Sequence, residues 1–255
     1  MRLNTKKKII ALIPARQGSE RLKNKNIKNF FSHPLLAYAI QLAIKSKLFK
    51  KVVVSTDSLK YAKIAKYYGA EVLNLRPKKL SSSKSPDYDW VHYTIDLYKK
   101  KKINFEYFFI LRPTNPFRSS NTIRAAWKKF NEHKNCESLR AVSLVKEHPG
   151  KMWKVKKNFI FPLIKKKILN QPMYNSQYKS LPAIYVQNAS LEISKTSVLN
   201  KYKTITGKKI IPYFNSKFES YDINYPLDFE FAEYLIKNKK VKLIKINKKS
   251  FYSTT

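Results

Sequence analysis

Arg16, Arg21 and Lys25 lie within ten residues of one another in the stretch Ile13-Pro14-Ala15-Arg16-Gln17-Gly18-Ser19-Glu20-Arg21-Leu22-Lys23-Asn24-Lys25-Asn26. Cations grouped beside a glycine and a serine suit a phosphate chain: the side chains supply charge and the loop N–H groups supply hydrogen bonds. A solvated basic loop is the plainer reading, and composition alone favours it. The glycine spacing of P-loops and dinucleotide folds is absent, because Gly18 is the only glycine in the stretch. The preceding element positions these cations. Ile9 to Ile13 is an apolar run, read as a buried strand that hands over to the loop at Pro14.

The same alternation continues. Pro34 to Leu48 has Leu36, Ile40 and Ile44 on one helical face, and Lys51 to Ser55 is a β-branched strand ending at Thr56-Asp57. Leu59 to Tyr68 reads as a helix closed by Gly69, and Ala70 to Leu75 as a short strand. Ser81 to Asp87 is a polar loop, Tyr88 to Lys100 a helix, Phe105 to Leu111 a strand, Asn121 to His133 a helix and Ser138 to Val145 a strand. Such a pattern predicts an α/β fold with a mainly parallel sheet and helices on both faces. The polar loops Arg16–Asn26, Thr56-Asp57, Arg76–Ser85 and Arg112–Arg118 then share the carboxyl edge, where open α/β sheets bind ligands. After His148 the pattern changes. Met152 to Ile164 and Ala183 to Ile193 read as strands of an antiparallel excursion near 146–205, suited to dimerisation. Near Ile210 the α/β pattern resumes, with a helix over Tyr225 to Lys237 and an edge strand over Val241 to Ile246; the lysine-rich tail after Asn247 is expected to fray. One domain covers 1–255.

Formal net charge is +37. That balance raises nucleic acid as a partner, but the cations are mostly Lys spread along the chain. Lys, Asn, Ile, Tyr and Phe all have AT-rich codons, so genome composition accounts for much of the excess. A basic nucleic-acid-binding protein is the non-enzyme alternative, and its mark would be salt-dependent binding without nucleotide turnover. Arg occurs only at positions 2, 16, 21, 76, 112, 118, 124 and 140, so a placed Arg points to a need for its planar fork. Cys136 is the single cysteine, which excludes an internal disulfide, fits a reducing, cytoplasmic compartment and reads as a small core residue. No apolar run approaches the ~18 residues of a membrane span. The basic residues before Ile9 superficially suggest a signal peptide, but Pro14 and Arg16 break its apolar run.

Taken together, Ile13-Pro14-Ala15-Arg16, Gly18-Ser19, Arg21-Leu22 and Lys25-Asn26 resemble the signature of the acylneuraminate cytidylyltransferases. Val53-Val54-Ser55-Thr56-Asp57, Leu75-Arg76-Pro77 with Leu80-Ser81-Ser82, and Leu111-Arg112-Pro113-Thr114-Asn115-Pro116-Phe117-Arg118 continue the likeness. That family's form of the last segment has Gln where this chain has Arg112. Glu147-His148-Pro149 with Lys151, Gln187-Asn188-Ala189, and Asp222-Ile223-Asn224 with Asp228 follow in order. The sister family that activates the eight-carbon acid Kdo typically has Lys-Pro where Lys25-Asn26 stands, and ranks lower; another sugar nucleotidyltransferase is the remaining enzyme alternative.

The resemblance implies a Rossmann-like nucleotide-sugar transferase fold and CMP transfer from CTP to the anomeric hydroxyl of a nine-carbon 2-keto sugar acid, with Mg²⁺. It implies a homodimer. Arg16 and Lys25 would hold the triphosphate and carry catalysis, with Ser19 and Arg21 supporting the loop. Asn26, Arg76, Ser81 and Ser83 would contact the cytidine, a structural loop anchor being the alternative for Arg76. Asp222 would ligate the metal; Asn224 stands where the family often has a second Asp and offers a neutral amide oxygen. Asp228 reads rather as a helix N-terminal residue stabilised by the dipole. For the sugar the candidates are Arg112, Thr114, Lys151, Gln177, Lys179, Gln187 and Asn188. The stretch from Gln177 to Asn188 has no Arg, and Val186 stands where a family Arg is expected. The wording around His148 and Gln187 resembles the legionaminic and pseudaminic branch, so the expected substrate is a nonulosonic acid of that type. His92 and His133 are expected to be solvated or capping groups, His148 a turn residue or substrate orienter, and Glu192 an edge or interface residue.

Overall fold

The computed structural model describes residues 8–216 and 218–253, so the part of the signal-peptide reading that concerns 1–7 lies outside the described residues. Strand β1 (Ile9–Pro14) leads through two-residue strands β2 (Asn29–Phe30) and β3 (His33–Pro34) into helix α1 (Leu35–Ser46). Then come β4 (Lys51–Ser55), α2 (Leu59–Tyr67), α3 (Asp87–Lys100), β5 (Tyr107–Ile110), α4 (Ser120–Glu132) and β6 (Ser138–Leu144). Two hairpins follow: β7 (Trp153–Lys156) with β8 (Phe159–Pro162), and β9 (Lys167–Ile168) with β10 (Gln171–Pro172). Strand β11 (Tyr185–Lys195), α5 (Ser197–Tyr202), β12 (Ile210–Phe214), α6 (Pro226–Lys237) and a 3-10 turn at Phe251–Ser253 complete the order.

Six strands form the central sheet in the order β12-β6-β11-β5-β1-β4. β1 runs parallel to both β4 and β5, whereas β11 is antiparallel to β5. Pairing of Pro14 with Ser55 and of Leu12 with Ile110 brings the three parallel strands to their carboxyl ends side by side. β1 is apolar throughout because it is covered on both faces. Ile9, Ala11 and Ile13 pack with residues of α1, α2, α4 and α6; Ile10 and Leu12 pack with Trp90, Val91 and Tyr98 of α3 and Leu199 of α5. All five are fully buried, and each such Ile or Leu contributes about 1.5–3 kcal/mol through burial. Gly69 stops α2 with φ 92, a conformation that L side chains rarely adopt, and a Cβ there would lie 3.2 Å from the Ile44 side chain.

Several segments differ from the sequence reading. Ala70 to Leu75 makes one parallel bridge, Val53 to Glu71, before Arg76 N turns back to donate to Thr56 O. Val241 to Ile246 is not a strand; Val241, Leu243, Ile244 and Ile246 pack by their side chains onto the core. The segment after Asn247 is docked rather than frayed as far as Ser253: Phe251 packs on Tyr67 with ring centroids 5.5 Å apart. Glu192 is on an interior strand, 4 % exposed, and is not an edge residue. Cys136 is a buried core residue, and no helix among the described residues is long and apolar enough to cross a membrane.

The chain divides into two compact units. One comprises the chain up to Ala141 and from Asn188 onward, and the other is Val142–Gln187. Residues 188–205 of the expected excursion thus belong to the sheet-bearing unit. Within the smaller unit, His148 is 3 % exposed; its Nδ1 accepts from Gly150 N and its Nε2 lies 3.0 Å from Pro182 O. It is a turn residue there.

Leu12→Ala is expected to lower unfolding free energy by about 2–5 kcal/mol, as for other fully buried Leu positions. Urea denaturation followed by circular dichroism checks it; a loss under 1 kcal/mol, on the scale of a surface substitution, would contradict the two-faced burial of β1.

Candidate functional site

Four loops meet at the carboxyl edge, each held by a named contact. Gln17 N donates to Asp57 Oδ1 at 2.8 Å, joining the loops after β1 and β4. Ile223 N donates to Thr114 O at 2.9 Å, joining the loop after β5 to the segment before α6. Lys25 Nζ donates to Ile223 O at 2.7 Å and to Asn224 Oδ1 at 3.2 Å, and Arg21 Nη2 donates to the same Oδ1 at 3.1 Å. Arg21 also lies over the Tyr225 ring, 5.1 Å from its centroid. Asn26 is buried, and its Nδ2 donates to Arg16 O at 3.2 Å, so the two ends of the first loop are closed on each other. Ser19 lies in the same loop, where its N–H donates to Gln17 O at 2.8 Å.

Burial pulls the Lys25 ammonium below the ordinary lysine value; Asp222 opposes that fall, Arg21 adds to it, Asp228 opposes it and Arg16 adds to it. Arg16 is half-buried, and among the described residues no hydrogen bond or ion pair fixes its guanidinium. It acts electrostatically on both Lys25 and Arg76. Arg16 therefore adds unpaired positive charge to the field felt by both Lys25 and Arg76.

A family model described as cytidylyltransferase matches residues 10–251. The chain belongs to that family. It is 33% identical over 227 residues, 88% of this chain, to an N-acylneuraminate cytidylyltransferase of Escherichia coli, of which it spans 51%. Over 234 residues, 90% of this chain and 96% of the other, it is 33% identical to a CMP-N,N'-diacetyllegionaminic acid synthase of Legionella pneumophila. Among solved structures, a CMP-2-keto-3-deoxy-manno-octonic acid synthetase complexed with CTP superposes with TM-score 0.65 at 12% identity, covering 91% of this chain and 99% of that one. At that identity the likeness is one of fold.

In this cytidylyltransferase the remaining candidates fall into distinct surroundings. Arg76 is 5 % exposed; its Nε donates to Ser55 Oγ at 3.0 Å and its Nη2 to Ser55 O at 2.7 Å. Trp90 lies beneath its guanidinium at 4.9 Å. Those contacts make Arg76 a loop anchor. Ser81 is buried with its Oγ donating to Pro77 O, while Ser83 is exposed. Asn224 is not a free amide oxygen. Its Oδ1 is taken by Lys25 and Arg21, and its Nδ2 donates to Asp222 Oδ2 at 2.6 Å, so it braces two cations against one acid. Asp228 Oδ2 accepts from the backbone N of Asn224 and Tyr225, both at 2.8 Å, as expected at a helix start.

Arg112 is ion-paired. Its Nη2 donates to Asp87 Oδ2 at 2.6 Å and to Glu192 Oε1 at 2.8 Å. Glu192 Oε2 in turn receives Arg140 Nη1, and Arg140 Nη2 reaches Thr206 Oγ1. Burial works to raise Asp87, but Arg112, the Trp90 N–H and Arg76 hold its carboxyl below the usual value. An acceptor contact through Arg112 would have to use its other donors. Asn188 is occupied within its own unit, Nδ2 on Asn215 Oδ1 at 3.2 Å and Oδ1 receiving Ser190 N at 3.1 Å. In the smaller unit, Lys151 Nζ donates to Tyr174 O at 3.2 Å, and Gln177, Lys179 and Gln187 are exposed.

Sequence reasoning passed over Asp57, Arg118 and Asn115 as site residues. Arg118 is 2 % exposed; its Nη2 donates to Arg112 O at 3.0 Å, while Nε and Nη1 have no partner among the described residues. Burial lowers it, and Glu219 and Asp222 counter that. Asn115 Oδ1 and Asp222 Oδ1 are likewise buried without partners. Arg118 did stand in the quoted motif, and the scarcity of Arg was the signal that could have promoted it.

Glu192→Gln leaves Arg112 and Arg140 facing a neutral group, and is expected to cost about 3–5 kcal/mol of stability by chemical denaturation. Arg112→Gln keeps the Glu192–Arg140 pair and is expected to cost less; equal losses would contradict a network centred on Glu192.

Proposed function

We propose that the chain transfers CMP from CTP to the anomeric hydroxyl of a nine-carbon 2-keto sugar acid of the sialic or legionaminic type, releasing pyrophosphate. The observation that carries this reading is the direct hydrogen bonding of Lys25 and Arg21 to the Asp222–Asn224 segment, beside Arg16. Phosphate-binding cations and a carboxylate are thereby collected on one edge. In the reaction the acceptor oxygen bonds to the α-phosphorus, the bond to the β-phosphate oxygen breaks, and negative charge grows on the departing pyrophosphate. Lys25, held by Ile223 O and Asn224 Oδ1, and Arg16, unpaired among the described residues, stabilise that charge, which is how such sites lower a barrier. Arg76, over Trp90 and bonded to Ser55, anchors the loop on the cytidine side, and Asn26 holds the first loop closed.

Asp222 is the residue that would hold a divalent metal, Mg²⁺ in our reading. Its Oδ1 is buried and takes no hydrogen bond from the described residues, and a single carboxylate suits an ion that completes its shell with phosphate and water. When bound, the ion would neutralise phosphate charge. With the Asn224 oxygen already engaged, the metal role falls to Asp222 alone. The relatives named for N-acylneuraminate and for N,N'-diacetyllegionaminic acid support a nonulosonic acceptor. Absence of Arg between Gln177 and Asn188 favours the legionaminic type. In the smaller unit the β7–β8 hairpin exposes Val155, Phe159 and Ile160, which supports self-association as a homodimer. We assign the reaction to the cytoplasm, where CTP is made.

Pyrophosphate release should require CTP, and kcat/KM should be greatest for a legionaminic-type acid in a panel with N-acetylneuraminate, pseudaminate and Kdo. Turnover of N-acetylneuraminate far above the legionaminic analogue would sink that assignment. Arg16→Ala should lower kcat/KM by roughly 10²–10³-fold with folding intact, the usual loss for one charge-stabilising donor; a near-normal value would refute its role.

A further inference from the structure

Residues 248–252 are tied across the turn that carries Lys25 and Asn26. Lys248 Nζ donates to Tyr67 O at 2.5 Å and sits 4.1 Å from the centroid of the Tyr67 ring. The Tyr67 hydroxyl donates back to Lys249 O at 3.0 Å. Phe251 N donates to the Tyr68 hydroxyl at 3.1 Å, and that hydroxyl also meets His33 Nδ1 at 2.9 Å. These contacts deliver Tyr252, whose hydroxyl donates to Ile27 O. Ile27 is the last residue of the 3-10 turn Lys25–Ile27. At the other end of that turn Asn24 has φ 56, in the left-handed region, and its Oδ1 receives the Tyr61 hydroxyl from α2 at 3.2 Å. Two tyrosine hydroxyls therefore grip the two ends of a four-residue segment. Between them stand the ammonium of Lys25 and the amide of Asn26.

Residues 248–252 lie outside every strand and α-helix, and ordering such a segment costs conformational entropy that its contacts must offset. Tyr252 is 38 % exposed, so core burial gives little reason for its placement. Its hydroxyl reaches Ile27 O, a carbonyl that the backbone bonds of the turn leave open. Burial raises the pKa of both tyrosines, Tyr61 to about 12, which keeps them protonated as donors.

We propose that Tyr252 and Tyr61 are positioning residues that hold the Asn24–Ile27 turn so that Lys25 and Asn26 are presented to the nucleotide. This rests on the reading that the turn contacts CTP. Tyr252→Phe and Tyr61→Phe remove one hydroxyl each and keep the ring. In the full chain with Mg²⁺ and CTP as the probe, each should raise the CTP Kd roughly three- to tenfold, the worth of one net hydrogen bond. Amide hydrogen exchange at residues 24–28 of the free protein should quicken more than exchange at residues 9–14, and the urea midpoint should fall by no more than the worth of one hydrogen bond. Wild-type exchange and wild-type Kd in both variants overturn the proposal. Lys25→Ala separates it from the reading beneath it. If Lys25→Ala weakens CTP binding and the tyrosine variants do not, the strap is wrong and the turn's role stands. If Lys25→Ala leaves CTP binding unchanged, the turn is not a nucleotide contact and the proposal falls with it.

Discussion

The ammonium of Lys25 ties the loop after β1 to the segment before α6, donating to the carbonyl of Ile223 across 198 residues of sequence. A half-buried lysine is costly unless its donors are satisfied. Here the acceptors are a backbone carbonyl and the neutral amide of Asn224, with the Asp222 carboxylate one step further away. Neutral acceptors satisfy the geometry of the ammonium without cancelling its charge. A direct pair with a carboxylate would have done both. The ammonium is thus held without being neutralised, and two bonds at Ile223, one from Lys25 and one to Thr114, draw together the loop after β1, the loop after β5 and the segment before α6.

Acids are scarce in this chain, 16 against 53 Lys and Arg, so their placement is informative. Asp57, Asp87, Asp222 and Asp228 all act near the carboxyl edge, and Glu192 sits beneath it. Asp57 and Asp228 hold backbone N–H groups, Asp87 and Glu192 hold cations, and Asp222 holds the Asn224 amide. Asp87 links the Arg76–Trp90 stack to Arg112, and Glu192 links Arg112 to Arg140, giving a continuous polar chain beneath the loops. The surface is left with lysine in excess. Such a surface favours approach of anionic substrates from any direction, and the ordered acids set which cations they meet.

Much of this was legible in the sequence. The apolar run of β1, the β-branched Val52-Val53-Val54 and the glycine after α2 define elements by periodicity, and the parallel edge follows from their alternation. The site loops followed from topology alone. What escaped were pairings with no local signature. Glu192 looked like an edge residue because its strand is apolar on both sides; only the distant Arg112 and Arg140 explain it. Ala70 to Leu75 has strand-like residues, yet after one bridge the chain is turned by Arg76, whose guanidinium has its partners at Ser55. The lysine-rich tail looked solvated because its anchors, Tyr67 and Tyr68, lie some 180 residues earlier. Arg76 and Arg112 were recognised as placed arginines, but the partners that occupy them could not be read from spacing.

The smaller unit leaves the sheet-bearing unit after Ala141 in β6 and rejoins it at Asn188 in β11, and these two strands are neighbours in the sheet. Departure and return are therefore adjacent. An insertion anchored this way behaves as a cassette. Its length and sequence can drift without altering the register of β1, β4 and β5 or the loops at their ends. The pairs that set that register lie wholly within the sheet-bearing unit.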